Sequence, residues 1–144
     1  MIAVDTNILV YAHRRDSDWH RVAEKTVRTL ASGASSWAIA WPSIHEFISV
    51  VTHPKIYGPP STMDEAVNQV EVWMESSRLQ LLSESPGYFL ELKSLALQAR
   101  SRGPQIHDAR IAALCLHHGV DELWTADRDF SSFPALKTRN PLVS

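Results

Sequence analysis

The 144-residue sequence lacks the features that mark secreted, membrane-spanning and zinc-binding proteins. Cys115 is the only cysteine, so no internal disulfide can form and a reducing compartment fits. No apolar run approaches the roughly 20 residues that cross a bilayer, and no basic segment precedes an apolar one at the N-terminus. No Cys/His cluster has the spacing of zinc ligands. These absences predict a cytoplasmic protein without a membrane partner.

The sequence also lacks the excess of basic residues that is typical of nucleic-acid-binding proteins. It contains 14 Lys and Arg residues against 16 Asp and Glu residues, which gives a formal net charge of -2. This balance does not exclude a phosphate polymer, because the local field decides binding. If five acids face bound cations, 14 basic residues remain against 11 acidic ones. Those five candidates are Asp5, Glu46, Asp108, Asp127 and Asp129.

The chain does contain a regular alternation of strand and helix patterns. Short β-branched or apolar runs alternate with segments whose apolar residues recur every three or four positions. The order predicts an α/β fold with a mainly parallel sheet, in one domain over residues 1–144. Predicted strands cover residues 2–4, 37–40, 79–82 and 122–125, with an edge strand at 136–138. Predicted helices cover 8–13 (a short helix or turn), 19–30, 42–52, 62–76, 86–100 and 106–117.

Four acidic residues are predicted to lie at one edge of that sheet. Asp5 and Asp127 each follow a strand, whereas Glu46 and Asp108 are predicted in the first turns of helices. Strand carboxyl ends and the N-termini of the following helices lie at the same end of an α/β sandwich, where ligands bind. Asp108 also precedes an apolar stripe on its own helix, so it is expected to point along the buried face.

Each acid also has a simpler structural explanation. Asp5 could cap the turn after the first strand, and Asp108 could stabilise its helix through the dipole. Glu46 could be a solvated helix residue, and Asp127 and Asp129 could be turn residues. The functional interpretation depends on their convergence, because crowded carboxylates repel one another unless a divalent cation is bound. Mg²⁺ or Mn²⁺ suits such oxygen ligands and activates water for phosphodiester hydrolysis.

These segments together resemble the PIN-domain ribonucleases, in particular the VapC toxins of bacterial toxin–antitoxin modules. Each motif is weakly specific alone, but their order and the chain length match the family over essentially the whole chain. The resemblance implies a PIN-like three-layer α/β/α sandwich with a central, mainly parallel sheet. The matching segments are Val4-Asp5-Thr6-Asn7, Glu46, His107-Asp108-Ala109 and Thr125-Ala126-Asp127-Arg128-Asp129-Phe130.

The resemblance implies a Mg²⁺- or Mn²⁺-dependent endoribonuclease that cuts structured RNA, often tRNA or rRNA, at an exposed loop. It also implies a homodimer that is inhibited by a VapB-type antitoxin. Carried over by position, the catalytic residues are Asp5, Glu46, Asp108 and Asp127. The same four acids are the implied metal ligands, with Glu46 either binding the metal or positioning the water. Asp129 is a candidate fifth ligand, and the division between Asp127 and Asp129 stays open.

The resemblance also assigns supporting residues around the acids. Thr6 and Asn7 match the polar pair that braces the first acid, and Thr125 is expected to brace Asp127. Arg110 and Arg128 follow site acids and are candidates for contacts with RNA phosphates. Solvated surface arginines are an equally good interpretation of both.

Three other functions fit part of the pattern. A haloacid-dehalogenase-like phosphatase needs a second acid two residues after Asp5, where Asn7 stands. A receiver-type signalling domain needs paired acids at the first strand and a Lys after a late strand, but Lys137 falls on the predicted edge strand. A catalytically inactive PIN-like RNA-binding module has the same fold, and only activity separates it from a nuclease.

Overall fold

A central sheet of five parallel strands organises the computed structural model of the protein, which describes residues 1–143. The spatial order is β3-β2-β1-β4-β5, and every neighbouring pair is parallel. The predicted α/β class with a mainly parallel sheet is therefore confirmed. The strands are β1 (Ile2–Val4), β2 (Trp37–Ala40), β3 (Leu79–Leu82), β4 (Glu122–Trp124) and β5 (Thr138–Arg139).

Six α-helices connect and cover these strands within the described part of the chain. Two short 3-10 helices, Gly103–Gln105 and Arg128–Ser132, precede α6 and follow β4. None of the helices within residues 1–143 is both long and apolar enough to cross a membrane. The α-helices are α1 (Thr6–His13), α2 (His20–Ser32), α3 (Trp41–Val51), α4 (Met63–Met74), α5 (Tyr88–Ala99) and α6 (Ile106–His117).

Alternate residues of the central strands point into two separate cores, one on each face of the sheet. Ala3 and Ala38 pack with buried residues of α5 and α6. Val4 and Ile39 pack with buried residues of α1 to α4. Because both faces are covered, β1 and β2 are apolar at every position, as is usual for buried parallel strands. The three layers of the predicted sandwich follow from this arrangement.

Some predicted boundaries were wrong by one or more residues. Glu46 lies in the second turn of α3 and not in the first, because the helix begins at Trp41, directly where β2 ends. Helix α5 begins at Tyr88 and not at residue 86, because Gly87 adopts φ +93° and cannot be part of the helix. The last strand is Thr138–Arg139 and shares only Thr138 with the predicted edge strand at 136–138.

The start of α4 provides a test of local stability. The Thr62 hydroxyl accepts the N–H of Glu65 at 3.1 Å, and the Glu65 carboxylate accepts the N–H of Thr62 at 2.9 Å. We expect Thr62→Ala to lower the free energy of unfolding by about 1 kcal/mol, because a helix N–H loses its partner. Urea denaturation measures this change. Thr29→Ala, an exposed position inside α2, is the matched control and should not destabilise; equal losses in both variants would refute the capping role.

Candidate metal centre

One pocket of about 270 Å³ lies at the carboxyl edge of the sheet, and its lining includes Asp5, Glu46, Asp108 and Asp127. Asp5 directly follows β1 and caps α1. Asp108 lies in the first turn of α6, and Glu46 reaches the pocket from the second turn of α3. The four acids that were predicted to converge thus line a common pocket.

The parallel pairing of β1 with β4 explains why two of these acids are neighbours. Val4 and Trp124, the last residues of the two strands, are register partners. The backbone N–H of Asp5 donates to the Trp124 carbonyl at 3.0 Å. Asp127 follows β4 and caps the 3-10 helix Arg128–Ser132. Both acids are therefore positioned by the backbone before any side-chain contact is considered.

A network of hydrogen bonds fixes the Asp5 carboxylate. The N–H of Thr6 donates to Oδ1 at 2.8 Å, and the Thr125 hydroxyl donates to Oδ2 at 2.7 Å. The Asn7 amide donates to the Thr125 hydroxyl at 3.2 Å and approaches Asp5 Oδ2 at 3.5 Å. Its carbonyl oxygen accepts the N–H of Ala126 at 3.1 Å. The network joins the end of β1 to the segment that follows β4.

The residues that were predicted to brace the acids act in different ways. Thr125 contacts two acids, because its hydroxyl also accepts the backbone N–H of Asp127 at 3.0 Å. Thr6 braces Asp5 through its backbone N–H, whereas its buried hydroxyl has no hydrogen-bond partner within residues 1–143. The sequence pattern identified these positions but could not distinguish a backbone contact from a side-chain contact.

The pocket carries negative charge that no salt bridge of the described residues neutralises. Within residues 1–143, no ion pair includes any of the four acids. Burial raises the pKa of Asp5 to about 6, and the charges of Glu46 and Asp127 add to this shift against the lowering effect of its hydrogen bonds. Burial likewise raises the pKa of Asp108, with further contributions from Asp127, Asp129 and Glu46. A bound dication would relieve this repulsion.

A second grouping of acids overlaps the first. One carboxylate oxygen from each of Asp108, Asp127 and Asp129 lies within 4.8 Å of the other two. Asp127 Oδ1 accepts the N–H of Asp129 at 2.8 Å, which orders the turn. Asp129 is exposed and lines, with Asp108, a depression next to the main pocket. This all-carboxylate donor set fits a hard divalent cation.

The two arginines that were predicted to contact RNA phosphates lie in different environments. Arg110 is engaged by Glu84, whose Oε1 accepts from its Nε at 3.0 Å and from its Nη2 at 2.8 Å. Arg128 is exposed beside Asp127, and within residues 1–143 it forms no ion pair. Arg128 is therefore the better placed of the two.

Sequence reasoning missed the apolar side of the pocket, which Val10, Tyr11, Val50 and Tyr57 line together with the acids. One signal was available for Val50, which lies four residues after Glu46 and so on the same face of α3. Tyr57 lies in the loop between α3 and α4, where no helix or strand periodicity could indicate that it lines the pocket.

Comparison with known proteins gives a consistent result. The PIN-domain family model matches residues 2–136. Ribonuclease VapC48 of Mycobacterium tuberculosis is 31% identical over 137 residues, which cover 95% of this chain and 94% of that protein. The structure of VapBC2 from Rickettsia felis, bound to a promoter DNA fragment, is similar with a TM-score of 0.70 and 21% identity, covering 97% of this chain and 98% of that chain. The structure of VapC20 of Mycobacterium tuberculosis, described as a sarcin–ricin loop cleaving toxin, is similar with a TM-score of 0.67 and 17% identity. The match covers 92% of this chain and 94% of that chain.

The raised pKa of Asp5 predicts how the stability of the metal-free protein depends on pH. The folded state binds this proton more tightly than the unfolded chain, whose carboxyl titrates near 3.8. The stability that Asp5 contributes is therefore complete below about pH 4 and is lost as the pH rises through about 6. We expect EDTA-treated protein to lose about 1 kcal/mol of unfolding free energy from this group between pH 5 and pH 7.5.

The comparison that isolates this effect uses Asp5→Asn, which has no titrating group at the position. Urea denaturation at both pH values should show a smaller loss in the variant than in the wild type. An identical pH dependence in the two proteins would show that Asp5 is not the responsible group.

Proposed function

The chain belongs to the PIN-domain family and, within it, to the VapC ribonucleases, and on this premise we propose that the acidic pocket hydrolyses phosphodiester bonds in structured RNA. A member of this group is an endoribonuclease and the toxic component of a toxin–antitoxin pair. One observation supports this location for the active site above all others: Asp5, Glu46, Asp108 and Asp127 line the same pocket.

A divalent metal ion is a general requirement of this family, and we assign it to Asp5, Glu46, Asp108 and Asp127, with Asp129 as a fifth ligand. Mg²⁺ or Mn²⁺ suits a site made only of carboxylates. When bound, the ion supplies an activated water and stabilises the charge that develops on the phosphate. The raised pKa values of Asp5 and Asp108 support the assignment, because these groups gain most from a cation.

The protein's own groups have separate tasks in this proposal. The hydroxyl of Thr125 and the N–H of Thr6 hold the two oxygens of Asp5 in fixed directions before a substrate arrives. Glu46 is the most exposed of the four acids, and we assign it to orient the attacking water and accept its proton. Arg128 is assigned to an RNA phosphate next to the cut.

The partners follow from the family and from the similar structures. We propose tRNA or rRNA as the substrate; the similar VapC20 is described as cleaving the sarcin–ricin loop. We also propose a VapB-type antitoxin as the inhibitor, because VapBC structures are among those that resemble this fold. The active species is proposed to be a homodimer in the cytoplasm, where these RNAs are found.

Of the alternatives, only the catalytically inactive PIN-like RNA-binding module shares the family and the fold. Such a module has no need for the full set of acids in one pocket. The phosphatase and the receiver-type signalling domain belong to other families and are not supported.

RNA cleavage in vitro is the direct test. Purified protein with Mg²⁺ or Mn²⁺ should cut tRNA or rRNA, and EDTA should abolish the cutting. Asp5→Asn and Asp108→Asn should each reduce the rate about 100-fold or more, because several kcal/mol of transition-state stabilisation depend on the ion. Asp18→Asn, an exposed position outside the pocket lining, is the matched control. Undiminished cleavage by folded Asp5→Asn protein would contradict the assigned role.

Growth measurements test the toxin role separately. Expression of the protein alone should slow bacterial growth, and coexpression of the small antitoxin encoded beside it should restore growth. Asp108→Asn should be harmless at the same expression level, because it lacks a site acid. If well-folded protein that cleaves RNA did not slow growth, the toxin role would be wrong, and the assignment as a nuclease would still hold.

A further inference from the structure

The acidic pocket has an apolar side that phosphodiester hydrolysis alone does not require. The side chains of Val10, Tyr11, Val50 and Tyr57 share this pocket with the four acids. The hydroxyl groups of Tyr11 and Tyr57 can donate to a phosphate or a ribose, but the faces of their rings and the two valines offer these polar groups no favourable contact. The flat apolar part of a nucleotide is its base. The wall is therefore suited to the base attached to the sugar–phosphate that the acids engage.

Tyr57 is held in place by an arginine that is itself fixed. The guanidinium carbon of Arg14 lies 4.2 Å from the centre of the Tyr57 ring. Its Nε and Nη2 donate to the Asp16 carboxylate at 2.9 and 2.6 Å. Its Nη1 donates to the Ser61 hydroxyl at 3.2 Å, and Nη2 also donates to the Pro59 carbonyl at 3.0 Å. The Arg14 side chain is only 12% exposed, although its partner Asp16 is 53% exposed.

Arg14 and Tyr57 line different cavities. Arg14 lines a larger cavity of about 1020 Å³ that the four acids do not line. Tyr57 lines the acidic pocket, which Arg14 does not line. Arg14 therefore contacts the Tyr57 ring without lining the acidic pocket itself, whereas Tyr57 can contact a ligand in that pocket. Tyr11, on the helix that Asp5 caps, also lines this pocket.

We propose that Tyr57, together with Tyr11, forms a stacking platform for the nucleobase next to the scissile phosphate, and that Arg14 is a positioning residue for Tyr57. The inference rests on the proposed ribonuclease function and narrows its substrate. A base can stack on this platform only when it is unpaired and turned out of its helix. Within the exposed RNA loop that the family resemblance implies, the platform therefore requires an extruded nucleotide that is engaged by its base as well as by its phosphate.

The cleavage experiment uses an RNA hairpin that the protein cuts and two modified versions of it. One version carries an abasic residue directly before the cut, and the other carries it directly after the cut. For the wild type, removal of one of the two bases should lower kcat/KM by about 5- to 150-fold, the range that corresponds to base–aromatic stacking. Tyr57→Ala should cut the intact and abasic RNAs at the same reduced rate. Tyr57→Phe keeps the ring and should preserve the preference of the wild type.

Phe89→Ala is the matched control, because Phe89 is an exposed aromatic residue on α5 outside the pocket lining. This variant should discriminate between the two RNAs as the wild type does. If folded Tyr57→Ala protein still discriminates as strongly as the wild type, the platform does not exist.

A binding experiment provides a readout that does not depend on cleavage. Single-stranded RNA is labelled with 2-aminopurine at each position in turn and mixed with Asp108→Asn protein in Mg²⁺. Stacking on Tyr57 should quench the fluorescence at one position, and the quenching should disappear in the Asp108→Asn, Tyr57→Ala double variant. Absence of quenching at every position would overturn the proposal. If no RNA is ever cut but this quenching pattern is found, the proposed function fails and the base-binding site stands.

The role of Arg14 has its own signature. Arg14→Met should raise KM for the intact hairpin about 5-fold or more, and leave its kcat and the KM of the abasic hairpin unchanged. Arg14→Lys should behave in the same way, because an ammonium group cannot reproduce the planar stack and the fixed donors. Equal losses on both RNAs would assign Arg14 a purely structural role and remove it from the proposal.

Discussion

The site depends on the hydrogen bond from the Thr125 hydroxyl to the Asp5 carboxylate, which joins residues 120 positions apart at 2.7 Å. The same hydroxyl receives the Asn7 amide and the backbone N–H of Asp127. This one oxygen atom therefore connects the end of β1 to the end of β4, and it forms hydrogen bonds with two of the four acidic residues. A hydroxyl is suited to this position, because one group both donates to a carboxylate and accepts from neighbouring N–H groups.

This arrangement has a cost in the free energy of folding. Asp5 is buried with its charge facing other carboxylates, and its pKa of about 6 expresses that penalty. The hydrogen bonds from Thr6 and Thr125 offset only part of it, and the two hydrophobic cores on either face of the sheet supply the remaining stability. Perturbed carboxylates of this kind are characteristic of functional sites, where the unfavourable charge is matched to a ligand.

The fold and the acids could be read from the sequence because they depend on local patterns. Short apolar runs that end at Asp5 and before Asp127 indicate strands, and parallel strands bring their carboxyl ends together. Glu46 was assigned to the wrong turn, because helix α3 begins directly at the end of β2 with no connecting loop to mark the boundary. The apolar wall was missed for a different reason. Tyr57 comes from a loop that contacts Arg14 of a distant segment, and such long-range contacts leave no periodic signal.

The strand order has a further consequence for the way in which the pocket assembles during synthesis. Strand β1 occupies the middle of the sheet, but one of its two neighbours is β4, which begins only at Glu122. During synthesis on the ribosome, Asp5 emerges long before Thr125 and Asp127. A nascent chain that ends before Asp127 therefore cannot assemble the pocket. A product that terminates before Thr125 therefore lacks both the hydroxyl that holds Asp5 and the Asp127 carboxylate, so the acidic pocket is completed only by the last fifth of the chain.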